Sequence, residues 1–121
     1  MYQLTLFEAF FITHLVMDWI FQWKWEAMNK SKNILALLFH CTIYAVGFIP
    51  AFLIFKINFI WLVLIFASHI ILDNRKFEFW VLEKFKGFKK EEVSESLGAI
   101  LLIGLDQTFH LVILAIIVIF S

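Results

Sequence analysis

Proline and cysteine each occur once in 121 residues, and glycine only four times. One cysteine, Cys41, cannot close an internal disulfide or build a CxxC motif; it reads as a small core residue. So little glycine and proline leaves little room for flexible linker, and the length suits one domain over 1–121. There is no excess of charge of either sign, with ten Lys and Arg against ten Asp and Glu. That balance offers no basic face for nucleic acid, which is not expected as a partner. Internal repeats and low-complexity tracts are missing too. A serine or cysteine triad is also not expected: Ser68 precedes His69, but adjacent helix positions do not face each other.

Apolar residues, in contrast, make up 63% of the chain, and its mean hydropathy is +0.90. Soluble domains are usually about half apolar. The excess falls in four runs, at 4–23, 33–55, 58–74 and 97–120. A helix needs about 20 residues to cross a bilayer core, so the third run is short. Lipid admits only helices or closed barrels, and these runs lack barrel alternation. The expectation is therefore an all-α, four-helix transmembrane bundle. The first run has no basic residue before it and carries Glu8, His14 and Asp18, so it reads as a retained helix, not a secretory signal. Pro50 should kink or shorten the second helix. The Lys56-Ile57-Asn58 stretch should reverse the chain, with Glu8 near that end and open to neutralisation by Lys56.

Nine of the ten basic residues lie in two loops, 24–32 and 75–96. With four spans these loops share one side, which the positive-inside rule makes cytoplasmic, so both termini should face outward. The mixed aromatic and charged stretch 77–86 reads as an amphipathic interfacial helix between helices three and four. Trp23, Trp25 and Trp80 suit an aromatic belt at that interface.

Four histidines and three aspartates carry the chemistry. Six of them form pairs spaced by four: His14 with Asp18, His69 with Asp73, and Asp106 with His110. Such spacing puts both side chains on one helix face. His40 stands in the second run, Gln22 extends the first stripe, and Gln107 adjoins Asp106. All seven ionisable groups fall in the half of the membrane next to the basic loops. A membrane-central aspartate costs about 3 kcal/mol even on the gentle insertion scale. Three of them, each beside an imidazole, ask for a functional explanation. Hydrogen bonds that merely hold the helices together, or a proton relay, are the competing explanations.

A divalent cation would relieve the repulsion among the carboxylates. The expected ligands are His14, Asp18, His40, His69, Asp73, Asp106 and His110, with zinc first and manganese or iron as alternatives. Seven donors exceed one tetrahedral shell, so either two ions bind or some residues support the ligands, as Gln22 and Gln107 would. Lys30, Lys32 and Arg75 stand at the mouth, where they would meet lipid headgroups or a substrate phosphate.

The order and spacing of His14-x3-Asp18-x3-Gln22, His40, His69-x3-Asp73 with Lys76 after it, and Asp106-Gln107-x2-His110 resemble the DUF3307 family. These are small bacterial membrane proteins of unknown function. A looser similarity runs to the YdjM-type membrane-bound metal-dependent hydrolases (DUF457). The expected function is a metal-dependent hydrolase of a lipid or polyprenyl phosphate, worked from the cytoplasmic side of a bacterial cytoplasmic membrane. Asp18, His40 and Asp106 are its candidate catalytic groups. The alternatives are a metal or proton transporter, which would need a homo-oligomer at this size, and a non-catalytic subunit with a structural His/Asp cluster.

Overall fold

The computed structural model describes residues 2–74, 76–89 and 94–121. All regular elements among the described residues are helical, with no strand among them. Helix α1 spans Leu6–Leu15 and runs into a π turn at Val16–Ile20. Its N-terminus is closed by a capping box: Thr5 Oγ1 accepts from the Glu8 amide, and Glu8 Oε2 accepts from the Thr5 amide. Glu8 thus serves the cap, and it also accepts from the Tyr2 hydroxyl. Helix α2, Lys24–Asn29, occupies what the sequence suggested was a loop. The Trp23 amide donates to Glu26 Oε2 at 2.6 Å, which satisfies one orphan donor of its first turn.

Helices α3, Ile34–Gly47, and α4, Ile49–Phe55, follow one another with a single-residue interruption at Phe48. The cause is Pro50, which has no amide to bond the preceding turn; the Phe48 amide tightens onto Ala45 instead. Gly47 faces Met17 so closely that a Cβ there would overlap its side chain, at 2.3 Å from Cγ. The π turn of α1 therefore lies directly against α3. Lys56 takes a left-handed conformation (φ 55°) and turns the chain into α5, Ile60–Asp73. Asn58 Oδ1 caps the entry by accepting from the Ile60 amide. Helix α6, Lys76–Trp80, continues as a π turn at Val81–Phe85, in the place expected for the amphipathic segment. Helix α7, Glu95–Phe120, starts at an Ser94 cap.

The continuous stretch Ile34–Phe55 and helix Glu95–Phe120 are long and apolar enough to cross a membrane. Helix α5, with 14 residues, covers only about 21 Å. The α1 stretch with its π turn is similarly short, against a hydrocarbon core of about 30 Å. Two candidate spans are thus found where four were expected. The elements still close a ring: α1 packs on α7 and α4, α3 on α5, and α5 on α7, while α2 covers α3 and α6 lies on α5 and α7.

The interior has two halves. Toward the chain termini it is apolar, built from Phe10, Phe48, Phe52, Ile65, Leu114 and Ile117. Phe10 meets Phe48 edge-on and stacks on Phe52. Toward the α2 and α6 end it is polar, with ten buried polar or charged side chains among the described residues. Outside, large apolar residues such as Ile34, Leu53, Ile54, Ile60, Val63, Ile71 and Ile119 are all more than 60% exposed. Polar groups inside and apolar ones outside invert the usual soluble arrangement.

Candidate metal centre

The three four-residue pairs and His40 do converge, and all seven side chains are buried. Their roles separate. His14 has both ring nitrogens engaged. The Tyr44 hydroxyl donates to Nδ1 at 2.7 Å, and Nε2 donates to Gln107 Oε1 at 2.8 Å. Gln107 passes the chain on, donating from Nε2 to Asp18 Oδ2 at 3.1 Å and to Asp106 Oδ2 at 3.2 Å. His14 is thus a support for the carboxylates and has no lone pair left for a ligand.

The hydrogen count is decisive for the others. His110 Nδ1 is 2.6 Å from the Asp106 carbonyl oxygen, which can only accept, so Nδ1 carries the proton. His110 Nε2 then accepts from His69 Nδ1 at 2.6 Å. That leaves a lone pair on His69 Nε2, by the usual inference of tautomer from partners. This lone pair faces His40 Nε2 at 3.0 Å. His40 Nε2 is also 3.1 Å from Asp18 Oδ1 and 2.9 Å from Asp73 Oδ2. His69 Nε2 lies 3.7 Å from Asp18 Oδ1 and 3.5 Å from Asp73 Oδ2. Four donor atoms are gathered here, and only two hydrogens reach them: the one His40 Nε2 can carry and the one Lys30 donates to Asp73 Oδ2 at 2.7 Å.

A tetrahedral ion with bonds of about 2.0–2.1 Å has ligand-to-ligand edges of about 3.3 Å. The separations just given bracket that value. Asp18, His40, His69 and Asp73 therefore fit a divalent ion by donor type, by spacing and by shortage of protons. A second set, Asp73, Asp106 and His110, also brings ligand atoms within 4.8 Å of one another.

Six buried side-chain atoms have no hydrogen-bond partner among the described residues: Glu26 Oε1, His40 Nδ1, Asp73 Oδ1, both oxygens of Glu78, and Asp106 Oδ1. Buried polar atoms without partners are uncommon and mark a water, an ion or a functional role. All belong to this cluster or its border. Glu26 Oε1 stands 3.9 Å from His40 Nδ1, beside the imidazole but beyond hydrogen-bond distance.

The basic residues expected at the mouth differ in placement. Lys30 is buried and donates to Asp73 Oδ2 at 2.7 Å and to Gln22 Oε1 at 2.6 Å. Lys32 is exposed, and Arg75 lies outside the described residues. Lys30 borders a cavity of about 150 Å³ whose wall also includes Asp18, Gln22, Asp106 and Gln107. A larger cavity, about 550 Å³, lies between the α6 segment and the start of α7 and contains no histidine or aspartate.

Three participants escaped the sequence reading. Tyr44 stacks on His69 with ring centres 3.6 Å apart; its signal was available, because it follows His40 by four. Glu26 and Glu78 had no imidazole at helical spacing to mark them.

Fold and site together define an all-helical protein with apolar surfaces around a buried His/Asp cluster able to hold a metal ion. The chain belongs to DUF3307, a family of proteins of unknown function, whose model matches residues 6–121. No curated protein and no solved structure matches it.

Proposed function

We propose that this chain is an integral membrane metalloprotein, four helices across the bilayer, that hydrolyses a lipid or polyprenyl phosphate from the side of its basic loops. The observation that carries the metal is the four-donor set at Asp18, His40, His69 and Asp73, with its deficit of hydrogens. Two His nitrogens and two carboxylate oxygens suit Zn²⁺ first and Mn²⁺ or Fe²⁺ next. The inverted distribution of polar and apolar side chains supports the bilayer. The short α1 and α5 would need tilt or local thinning of the lipid to complete four spans. With the basic loops cytoplasmic in a bacterial inner membrane, both termini lie outside.

A divalent ion in this set would supply Lewis acidity, the chemistry that activates water against a phosphate ester. The chain's own residues supply the rest. Asp106 stands in the cavity wall with Oδ1 unpartnered, placed to hold or deprotonate a water. Lys30 presents an ammonium to the same cavity, where a phosphate oxygen can share it with Asp73. At about 30 Å³ per water the cavity holds roughly five waters. That room suits a terminal phosphate better than a large headgroup.

The test is to purify the protein in mild detergent, count bound metal, and assay phosphate release from phosphatidic acid and polyprenyl phosphate in mixed micelles. One ion per chain is expected, lost in His69→Ala and kept in Asp106→Ala, with hydrolysis lost in both. Absence of metal in the wild type would refute the proposal. A second reading, a metal that pins the bundle without turnover, is favoured by one feature: four protein atoms already fill a tetrahedral shell, as in structural sites. Stoichiometric metal with no hydrolysis of either lipid would select it.

A further inference from the structure

The small cavity beside the cluster opens to one side of the bundle. At the end that carries the basic loops, α2 lies over α3, and α6 lies over α5 and α7. Glu26 of α2 and Glu78 of α6 are fully buried, and Lys30, at the end of α2, is only 7% exposed. Among the described residues this end is therefore covered. The cavity of about 150 Å³ lies laterally, walled by the π turn of α1, the end of α2 and α7.

Its wall changes character from inside to outside. Lys30, Asp18 and Asp106 supply the buried part. Trp19 and Ile103 supply the rim, and they are 59% and 38% exposed. Their neighbours Ile20 and Ile100 are 70% and 66% exposed, so the rim belongs to the apolar surface that faces lipid in a membrane chain. Lys30 also has a donor to spare. An ammonium carries three hydrogens, and two are placed, on Asp73 and Gln22. The third has no acceptor among the described residues. A cationic donor inside and an aromatic and aliphatic rim outside match an amphiphile with an anionic head and a hydrocarbon tail.

We propose that the rim formed by Trp19 and Ile103 is a lateral portal, through which a lipid phosphate monoester brings its head from the bilayer to Lys30 while its hydrocarbon stays outside against Trp19 and Ile103. This deepens the hydrolase reading above and rests on it for the chemistry. It commits the phosphate to a lipid source, because a free phosphate ester arriving from water would meet the covered end. Asp18 and Asp106 repel an anion, and a divalent ion on Asp18 offsets that charge. The head therefore binds to the metal-loaded protein.

Photo-labelling tests this without requiring turnover. The full chain carrying Trp19→p-benzoylphenylalanine, an aromatic-for-aromatic exchange, is loaded with Zn²⁺ in mixed micelles. These hold equal amounts of phosphatidylcholine and a non-hydrolysable phosphonate analogue of phosphatidic acid. The phosphonate should be labelled about tenfold over phosphatidylcholine, a ratio that one hydrogen bond from a charged donor supplies. Adding Lys30→Met should bring the ratio near unity, and soluble glycerol 3-phosphate should not compete. Val112→p-benzoylphenylalanine, at a site 49% exposed on α7, should label both lipids alike. Equal labelling by the Trp19 variant would overturn the portal. So would competition by glycerol 3-phosphate, a preference that survives Lys30→Met, or the same preference at Val112. A preference with no phosphate released from phosphatidic acid by the wild type would overturn the hydrolase reading and leave the portal standing. Should the Trp19 variant fail to fold, Ile103→p-benzoylphenylalanine carries the same comparison.

Discussion

Replacing Lys30 with methionine should move the protein in opposite directions with and without metal. Lys30 Nζ lies 2.7 Å from Asp73 Oδ2, and both side chains are less than 10% exposed. Without an ion this is a buried pair, and removing one partner of such a pair typically costs about 3–5 kcal/mol. For a chain of this size that is a fall in Tm of roughly 10–20 °C. With an ion the sign reverses. An ion bound to Asp73 Oδ2 would sit about 2 Å from that oxygen, hence within roughly 5 Å of the ammonium. At an effective dielectric of about 20, a divalent ion and a unit charge at that separation repel by roughly 6 kcal/mol. If relaxation and water remove three quarters of it, about 1.5 kcal/mol remains, a tenfold gain in affinity. The assay is tryptophan-detected unfolding of wild type and Lys30→Met in detergent, under chelator and across a Zn²⁺ titration. A variant that binds Zn²⁺ tenfold more weakly would refute the repulsion argument. Metal-free stability within about 1 kcal/mol of wild type would refute the buried pair.

Three further outcomes are expected. His14→Phe should keep one metal per chain, measured by mass spectrometry, while losing about 1–3 kcal/mol of stability, because His14 bonds Tyr44 and Gln107 and offers no lone pair. Chelated protein should lose stability as pH rises from about 4.5 to 7: the native Glu78 carboxyl, raised to about 7 from 4.5, holds its proton where the unfolded chain has released it. The slope of stability with pH is then negative, worth on the order of 1–2 kcal/mol across the window, and Glu78→Gln should flatten it in pH-resolved unfolding. Lys56→Gly should raise Tm slightly, by about 0.5 kcal/mol of stability, since Lys56 holds φ at 55°, where a Cβ is penalised; an unchanged or lower Tm would refute this.

Much of the architecture was legible because it is local. Apolar runs, the break ahead of Pro50 and the reversal at Lys56 follow from neighbours a few residues apart. The four-residue pairs were legible for the same reason: a helix puts i and i+4 on one face. What a helix does not encode is how far it is turned and slid against its neighbours. His14 and His40 looked equivalent as donors. Only the packed bundle shows that Tyr44 and Gln107 occupy both nitrogens of the first, while the second meets His69, Asp18 and Asp73. A π turn at Val16–Ile20 sets the bearing of Asp18, and such turns have no strong sequence signature. Lys30 was expected at the mouth of the site, and its pairing with Asp73 was not legible because that partner comes from another helix; Glu26 and Glu78 had no imidazole at helical spacing to mark them.

The sequence by itself determined that this chain forms apolar helices and that its imidazoles and carboxylates lie on shared faces, since both properties arise within single turns. Tertiary structure alone decided which four donors meet at one point and which carboxyls are left with unpartnered oxygens. Coordination requires agreement to a few tenths of an ångström among atoms from separate helices, and only the packing of the whole bundle sets those distances.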